Sequence, residues 1–491
     1  MAYQSALTGT KGHRIATGRV ILTLAGTPRS LSPSRCNAAR PLASPSTPGS
    51  RLSWDILFVI LSLTSDTKTH SAFMRTCRTL YKEGISHLLQ IQGATTFDYT
   101  DRRLASFCRF MLSGTAPSNR IRHLSTLDLV QDNETSPKNL KPCTLTLLST
   151  LLRSSTSLTY LAVEKCEALL ETGEQFQRAI MHLNHLRILK LRQVGKRSIA
   201  MLQKLNAGLV DIEISHDPNS DVPAPDPLTM LSAHAEMLQS LKLTLFSVEN
   251  ATIRFSNITS LWLHSIAIVM IQPLAEAFPN LVNLRVGMVE DMDIYLSGDI
   301  DKPRDANYAA QAEDNLRLAR LEKLSGSLVS LYCLSVVIHV PRLLIEGVLP
   351  DLPTVVSEVI EDTSPTELEM SVMSFALGWD EDLWTQILES SPELARLHLT
   401  ITVTDRDLSR NLEENLLSVL SKSSVSTLLL TFNTLDLTGH GSQPQSPEIS
   451  SENINESRIK DIGHRVASVT RGLKVFSISA FGEFHWDWRM P

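Results

Sequence analysis

No hydrophobic stretch in the 491 residues is longer than six, the extremes being Ile56–Leu61 and Ile266–Ile271. A helix needs about 20 apolar residues to cross a bilayer, so no membrane association is expected. Cysteine is sparse. Cys36, Cys77, Cys108, Cys143, Cys166 and Cys333 lie far apart and form no Cys-x-x-Cys pair. A disulfide framework is therefore not legible, and reduced, mostly buried thiols are expected. An excess of positive charge is also lacking. The 46 basic and 52 acidic residues leave −6, which gives no electrostatic case for nucleic-acid binding. Catalytic signatures are missing too: no Gly-rich loop ending in Lys-Ser/Thr, no His-Glu-x-x-His and no Gly-x-Ser-x-Gly elbow. His182 and His185 have a ligand-like spacing but no third ligand. No metal, cofactor or catalytic residue is assigned, and the chain is read as a non-enzyme.

What is present can fold. Hydrophobic residues make up 43% and charged residues 20%, ordinary for a globular chain. The length allows several domains or one elongated repeat array. Residues 1–50 stand apart. They hold six basic residues and no acid, so the −6 overall leaves −12 for the remainder. Rich in Ser, Pro and Ala, this tail buries too little apolar surface to offset chain entropy and is expected to be disordered. Its Arg- and Ser-rich, acid-free composition over 1–40 also matches an organelle transit peptide. Otherwise a cytoplasmic or nuclear placement is expected.

The composition changes at Arg51. Ser53 can cap a helix, with Asp55 well placed in the first turn. Ile56, Leu57, Ile60 and Leu61 then form an apolar stripe, and polar Thr64–His70 reads as a loop or an early turn. Phe73, Met74, Cys77, Leu80 and Tyr81 recur on one face of a second helix that Gly84 can end, and Ile85, Leu88 and Leu89 begin a third. Three short helices over 51–92 would be marginal alone and should dock on a neighbour or a partner.

From 124 onward an apolar-x-x-apolar-x-apolar pattern recurs. Its units are Leu124/Leu127/Leu129, Leu158/Leu161/Val163, Leu186/Leu189/Leu191, Leu209/Ile212/Ile214, Leu238/Leu241/Leu243, Ile258/Leu261/Leu263 and Leu281/Leu284/Val286, then Leu394/Leu397/Leu399, Val425/Leu428/Leu430 and Leu473/Phe476/Ile478. Starts of the first seven are 20 to 34 residues apart, in or near the leucine-rich-repeat range of about 20–29. The last three positions of each unit read as a short strand with period two, apolar side in. Amphipathic helical segments such as Leu145–Leu152, Phe176–Leu183 and Leu383–Leu388 lie between. The expected fold class is α/β: a three-helix module, a helical linker or cap at 93–123, and an irregular solenoid, or horseshoe, over 124–491. Loops are expected at 217–227, 290–314 and 439–455, with two degenerate units in 335–390. The aromatic-rich Phe481–Pro491 is expected to cap the last unit.

The segments "LSWDILFVILSL" and "FMRTCRTLYKEGISHLL" resemble an F-box in the form frequent in fungal proteins, and the whole resembles F-box proteins with leucine-rich-repeat-like C-terminal domains. The usual Pro of the opening is Ser53 here. That resemblance implies a substrate-recognition adaptor of a cullin-based ubiquitin ligase. Its helical module would dock on a Skp-family adaptor, and so on the cullin scaffold, through Leu52, Ile56, Leu57, Ile60 and Leu61. Met74, Cys77 and Leu80 would pack behind or beside them. The repeats would bind a protein substrate. It also implies a turn-forming role for Cys166 and Asn433. The alternative is a repeat-protein scaffold whose N-terminal helices only cap the solenoid.

The outward strand positions of a solenoid form its concave face. They include Asp128, Tyr160, Lys190, Asp211, Glu213, Lys242, Trp262, Asn283, Arg285, Arg396 and His398. Tyr160, Lys190, Lys242, Trp262, Arg285 and Arg396 are the candidate substrate-binding residues, because aromatic and cationic side chains of this kind often dominate interface energy. Trp262 is the strongest single candidate: an outward Trp leaves a large apolar surface that a partner or a neighbouring loop must cover.

Overall fold

The computed structural model describes residues 53–63, 67–76, 79–81, 84–85, 89, 95–98, 101–113, 120–130, 140–217, 224–265, 269–288, 300–313, 318–348, 353–373, 381–403, 417–418, 420, 425–434, 456–470, 472–480 and 484–490. The tail at 1–50 and the loop at 439–455 lie outside them.

A single sheet of fifteen strands runs through the molecule in sequence order. The strands are β1 (Thr95–Asp98), β2 (Thr126–Val130), β3 (Tyr160–Val163), β4 (Ile188–Val194), β5 (Asp211–His216), β6 (Ser240–Thr244), β7 (Ser260–Ser265), β8 (Asn283–Met288), β9 (Lys323–Ser327), β10 (Arg342–Val348), β11 (Glu367–Met373), β12 (Arg396–Val403), β13 (Thr427–Thr434), β14 (Val475–Ala480) and β15 (Phe484–Arg489). Neighbours from β1 to β14 pair in parallel, and β15 returns antiparallel on β14. All ten units read from the sequence are strands, and 335–390 supplies two more, β10 and β11. The class is α/β, and the monotone strand order is compatible with a solenoid.

The repeat pattern explains the register. Leu127, Leu161, Leu189, Ile212, Leu241, Leu261, Leu284, Leu324, Leu343, Leu368, Leu397, Leu428 and Phe476 fall on one continuous row across thirteen strands. Each is buried. The backbone repeats as well. The second residue of a unit offers its carbonyl to two N–H groups of the next: Ser125 O accepts from Thr159 N and Tyr160 N at 2.8 and 3.1 Å, and Thr159 O from Arg187 N and Ile188 N at 2.9 and 2.9 Å. The same link recurs down to Ser426 O, which accepts from Lys474 N and Val475 N at 2.8 and 3.1 Å. Apolar burial and a satisfied backbone thus select the same register.

The helices form one layer against the sheet's apolar face. They are α1 (Trp54–Leu63), α2 (Thr67–Met74), α3 (Asp101–Leu112), α4 (Pro142–Ser154), α5 (Cys166–Thr172), α6 (Glu174–Met181), α7 (Lys196–Leu202), α8 (Pro227–Met230), α9 (Ile271–Ala277), α10 (Asp301–Glu313), α11 (Leu328–Leu334), α12 (Pro353–Thr363), α13 (Glu381–Ser390) and α14 (Glu456–Val469). They pack in sequence: α3 on α4, α4 on α6, α5 on α7, then α9 through α13 each on the next. The Glu167 carboxylate of α5 crosses to the next unit. It accepts from the N–H groups of Gly195, Arg197 and Ser198 at 3.0, 2.8 and 3.0 Å. It therefore caps α7, whose first N–H groups have no partner inside the helix.

Several expectations need correction. The sheet begins at β1, inside the segment read as a helical linker at 93–123. Within the 290–314 loop, 301–313 is helix α10, a member of the layer. Buried Asn307 fixes it there, accepting from Ile271 N at 2.9 Å and donating to the carbonyls of Val269 and Cys333 at 3.0 and 2.8 Å. Helix α2 starts at Thr67, within the stretch read as a loop or early turn. Gly84 does not end a helix. It is itself helical and buried, and a Cβ there would meet Met74 Sδ at 3.0 Å and Leu61 Cδ2 at 3.2 Å. Asn433 lies inside β13 rather than in a turn, and Cys166 is a fully buried first residue of α5 whose thiol burial pushes up to about 12. The C-terminal residues do cover the last unit. Trp486 pairs with Ile478 across β14–β15, lies 5.7 Å from the Phe476 ring, and packs against Gly463 of α14, where a Cβ would not fit.

Candidate functional site

Two exposed surfaces stand out. The first is the outer side of α1. Ser53 starts the helix as expected: its hydroxyl accepts from Ile56 N at 3.4 Å and its carbonyl from Leu57 N at 3.2 Å. Ile56, Val59, Ile60 and Leu63 are 47%, 55%, 41% and 77% exposed. Their spacing of i, i+3, i+4 and i+7 places them on one helical face. Leu61 turns the other way and is fully buried. It packs with Met74, Ile85 and Leu89, which join the same hydrophobic core as Leu104, Phe107 and Leu127.

Of the residues expected to contact the adaptor, Ile56 and Ile60 are thus exposed together, and Leu57 is half-buried. Leu61 is corrected to an interior residue, because its side of α1 faces the sheet's core. Met74 and Leu80 are buried behind the stripe. Leu52 and the Cys77 position lie outside the described residues. Val59 and Leu63 are the members that reading the sequence missed. In the unbroken run Ile56–Leu61 every helical phase is apolar, so periodicity alone cannot choose the outer face.

The second surface is the outward side of the sheet. One row reads Asp128, Ala162, Lys190, Glu213, Lys242, Trp262, Arg285 and Ser325 from β2 to β9. Glu213 lies between two ammoniums, Lys190 at 3.1 Å and Lys242 at 3.0 Å. Burial opposes its ionisation, but the two lysines prevail and hold its carboxyl below the usual range. At Lys242, with 25% of its side chain exposed against 36% for Lys190, burial wins and the ammonium is shifted down. At Lys190, Glu213 outweighs burial and the shift is upward. Asp128, burdened first by burial and then by the charge of Glu164, is raised to about 6.

Trp262 has its cover inside the chain. Lys242 Nζ lies 3.5 Å and Arg285 Cζ 4.2 Å from the ring centre. These flanking strands supply cation–π contacts on both sides, so part of the cover expected from a partner or a neighbouring loop comes from side chains of the adjacent strands. Arg285 in turn reaches over Ser325, a small residue on β9, to pair with Glu346 on β10 at 2.8 Å. Lys190, Lys242, Trp262 and Arg285 are therefore brought together. Tyr160 adjoins them, with Lys190 Nζ 5.8 Å from its ring. Arg396 is elsewhere, on β12.

A neighbouring row ends the sheet differently. From β9 to β15 it reads Lys323, Arg342, Glu367, Arg396, Thr427, Val475 and Arg489. Glu367 is shared by Arg396 at 2.7 Å and Arg342 at 3.3 Å. Among the described residues, no group of three or more His, Cys, Asp or Glu side chains is placed to hold a metal ion, and no helix is long and apolar enough to cross a membrane. No protein-family model matches the chain, and a search of the curated proteins finds no match.

Proposed function

We propose that the protein is a substrate-recognition adaptor of a cullin-based ubiquitin ligase. The outer stripe of α1 docks on a Skp-family adaptor, and the outward face of a leucine-rich-repeat-like solenoid receives a protein substrate. The observation that carries this reading is the exposure of Ile56, Val59, Ile60 and Leu63 on one face of a capped helix, where the F-box-like segment would make its contact. Burying a Val, Leu or Ile side chain contributes about 1.5–3 kcal/mol. Four side chains already about half exposed leave roughly 3–6 kcal/mol to be gained by a partner that covers them. The rest of the chain would hold the substrate near the ligase, raising its effective concentration.

A second reading has support of its own. Leu61, Met74, Ile85 and Leu89 share the sheet's core, so the helical module also covers the N-terminal end of the stack, as a scaffold cap would. The two readings differ only in what the outer stripe does. Co-purification of the full chain with a Skp-family adaptor, wild type against Ile56→Asp/Ile60→Asp, decides between them. Recovery by the wild type and loss in the variant is expected. Equal recovery of both, or of neither, would overturn the adaptor reading and leave the scaffold.

A further inference from the structure

Strand β15 is bonded on one side only. Arg489 stands opposite Val475, so Met490 faces Lys474, and Met490 N donates to Lys474 O at 3.0 Å. In an antiparallel ladder, residues that exchange such bonds alternate with residues whose backbone groups point away. Trp486 and Trp488 therefore bond to β14, while the N–H and C=O groups of His485, Asp487 and Arg489 point out of the sheet's edge. Among the described residues, no strand lies beyond β15 to meet them.

The side chains of this edge have an order of their own. His485, Asp487 and Arg489 share the outward face and are exposed, whereas Trp486 and Trp488 share the helix side and are half-buried. Charges on an edge strand usually discourage pairing. Here they alternate in sign, and the carboxylate is held in place. The Ser477 hydroxyl, opposite on β14, and then the His485 ring, with Nε2 3.1 Å from Oδ1, keep Asp487 below the usual carboxylate range.

That order is self-complementary. Two antiparallel copies of β15 about a two-fold axis at Trp486 set His485 of each against Asp487 of the other. Both residues have outward backbone groups, so each pair can also exchange N–H and C=O. The same register sets Arg489 against position 483, which is Glu in the sequence and lies outside the described residues. On the helix side it brings Trp486 against its own copy, covering indole surface that Phe476 and Gly463 leave open. An axis at Asp487 would set Asp487 against itself and His485 against Arg489. An axis at Trp488 would keep only the Asp487–Arg489 pair. A shift by one residue would turn the charged face against the indole face.

We infer that the β15 edge is where a second copy of this chain docks, in the register centred on Trp486, so that the sheet continues from one copy into the other. The inference rests neither on α1 nor on the outward face as a substrate site. One short strand pair is small beside the roughly 1,200 Å² of a stable interface, so the dimer is a reversible one with a dissociation constant of about 10 μM.

The test is sedimentation equilibrium of the full chain from about 1 to 100 μM. A monomer–dimer equilibrium is expected. His485→Asp places two like charges opposite each other, twice per dimer, and should weaken association about tenfold. His485→Asp/Asp487→His exchanges the signs and should restore it to within about threefold of the wild type. Asp487→Pro removes an N–H that bonds to nothing in β14 and should abolish the dimer with the melting temperature unchanged; if that variant is less stable, the charge exchange alone decides. A monomer throughout the range, a dimer indifferent to His485→Asp, or a double exchange no better than the single one would overturn the inference. Each of these results leaves the adaptor reading untouched, because co-purification with a Skp-family adaptor reports on α1 alone.

Discussion

Gly326 tests the stacking of the sheet at one atom. It occupies the third apolar position of its unit, after Leu321 and Leu324, in the inward row that pairs Val286 with Ile345. A Cβ there would fall well inside contact distance of the Val286 carbonyl oxygen, and would also meet Val286 Cγ2 at 3.0 Å and the carbonyl carbon at 3.1 Å. Backbone cannot swing aside as a side-chain tip can, so Gly326→Ala must part β8 from β9. Overpacking of this kind costs about 1–3 kcal/mol, and each ladder hydrogen bond weakened adds about 1 kcal/mol. The expected loss is about 3 kcal/mol. For a cooperative unit of about 300 residues that is a fall of about 5 °C in Tm. Urea unfolding followed by tryptophan fluorescence and by circular dichroism measures it. Gly173→Ala is the control: its φ is −177°, an added Cβ meets nothing within 4 Å, and stability should change by less than about 0.5 kcal/mol. Equal stability of the two variants would refute the close approach of β8 and β9.

The remaining predictions concern the helical module, a cap and a titrating group. Leu61→Ala should cost about 2–5 kcal/mol in denaturant titration because the site is fully buried, whereas exposed Ile56→Asp/Ile60→Asp should cost much less; the reverse order would place the wrong face of α1 inside. Glu167→Ala removes the shared acceptor at the start of α7 and should lower stability by about 1–2 kcal/mol, with Glu167→Gln losing less. Asp128 is raised to about 6 by burial and by Glu164, above its unfolded value of about 3.9. The folded state therefore binds the extra proton between those values, and stability from this group rises as pH falls through 6. At pH 7 the ionised, half-buried carboxylate is a cost, so Asp128→Asn should stabilise by about 1–2 kcal/mol. That gain should shrink on going from pH 6 to 4, and a gain independent of pH would contradict the assignment.

How much of this was legible follows from what each residue does physically. Strands whose Leu, Ile or Val sides all point into one core announce themselves by spacing, which is why β2 to β8 and β12 to β14 could be read directly. At β9, Gly326 stands where the third apolar residue belongs, because two backbones approach there. At β11, Pro365 takes the first place of the pattern. At β10 the pattern is intact as Val340/Leu343/Ile345, all buried, but Leu344 on the outward side makes Leu343–Ile345 a continuous apolar run without visible alternation, and the register shifts only after it, between Ile345 and Val348, where Gly347 has φ +64°. The outward face was legible as a list of positions but not as contacts. No local signal shows that Lys242 and Arg285 would cover Trp262, since the three meet only through the register of β6, β7 and β8. The exposed pair Leu429 and Val475, on β13 and β14, was missed for the same reason. Each looks like one more apolar residue in an apolar strand, and only the register shows them together on the solvent side.

The most direct test of the central claim is amide hydrogen exchange on the full chain, alone and with a purified Skp-family adaptor in excess. Docking on the outer stripe of α1 predicts slowed exchange within 53–63, with the amides of β12 to β15 unchanged. Exchange that stays the same over 53–63, or that slows only on the sheet's outward face, would contradict it.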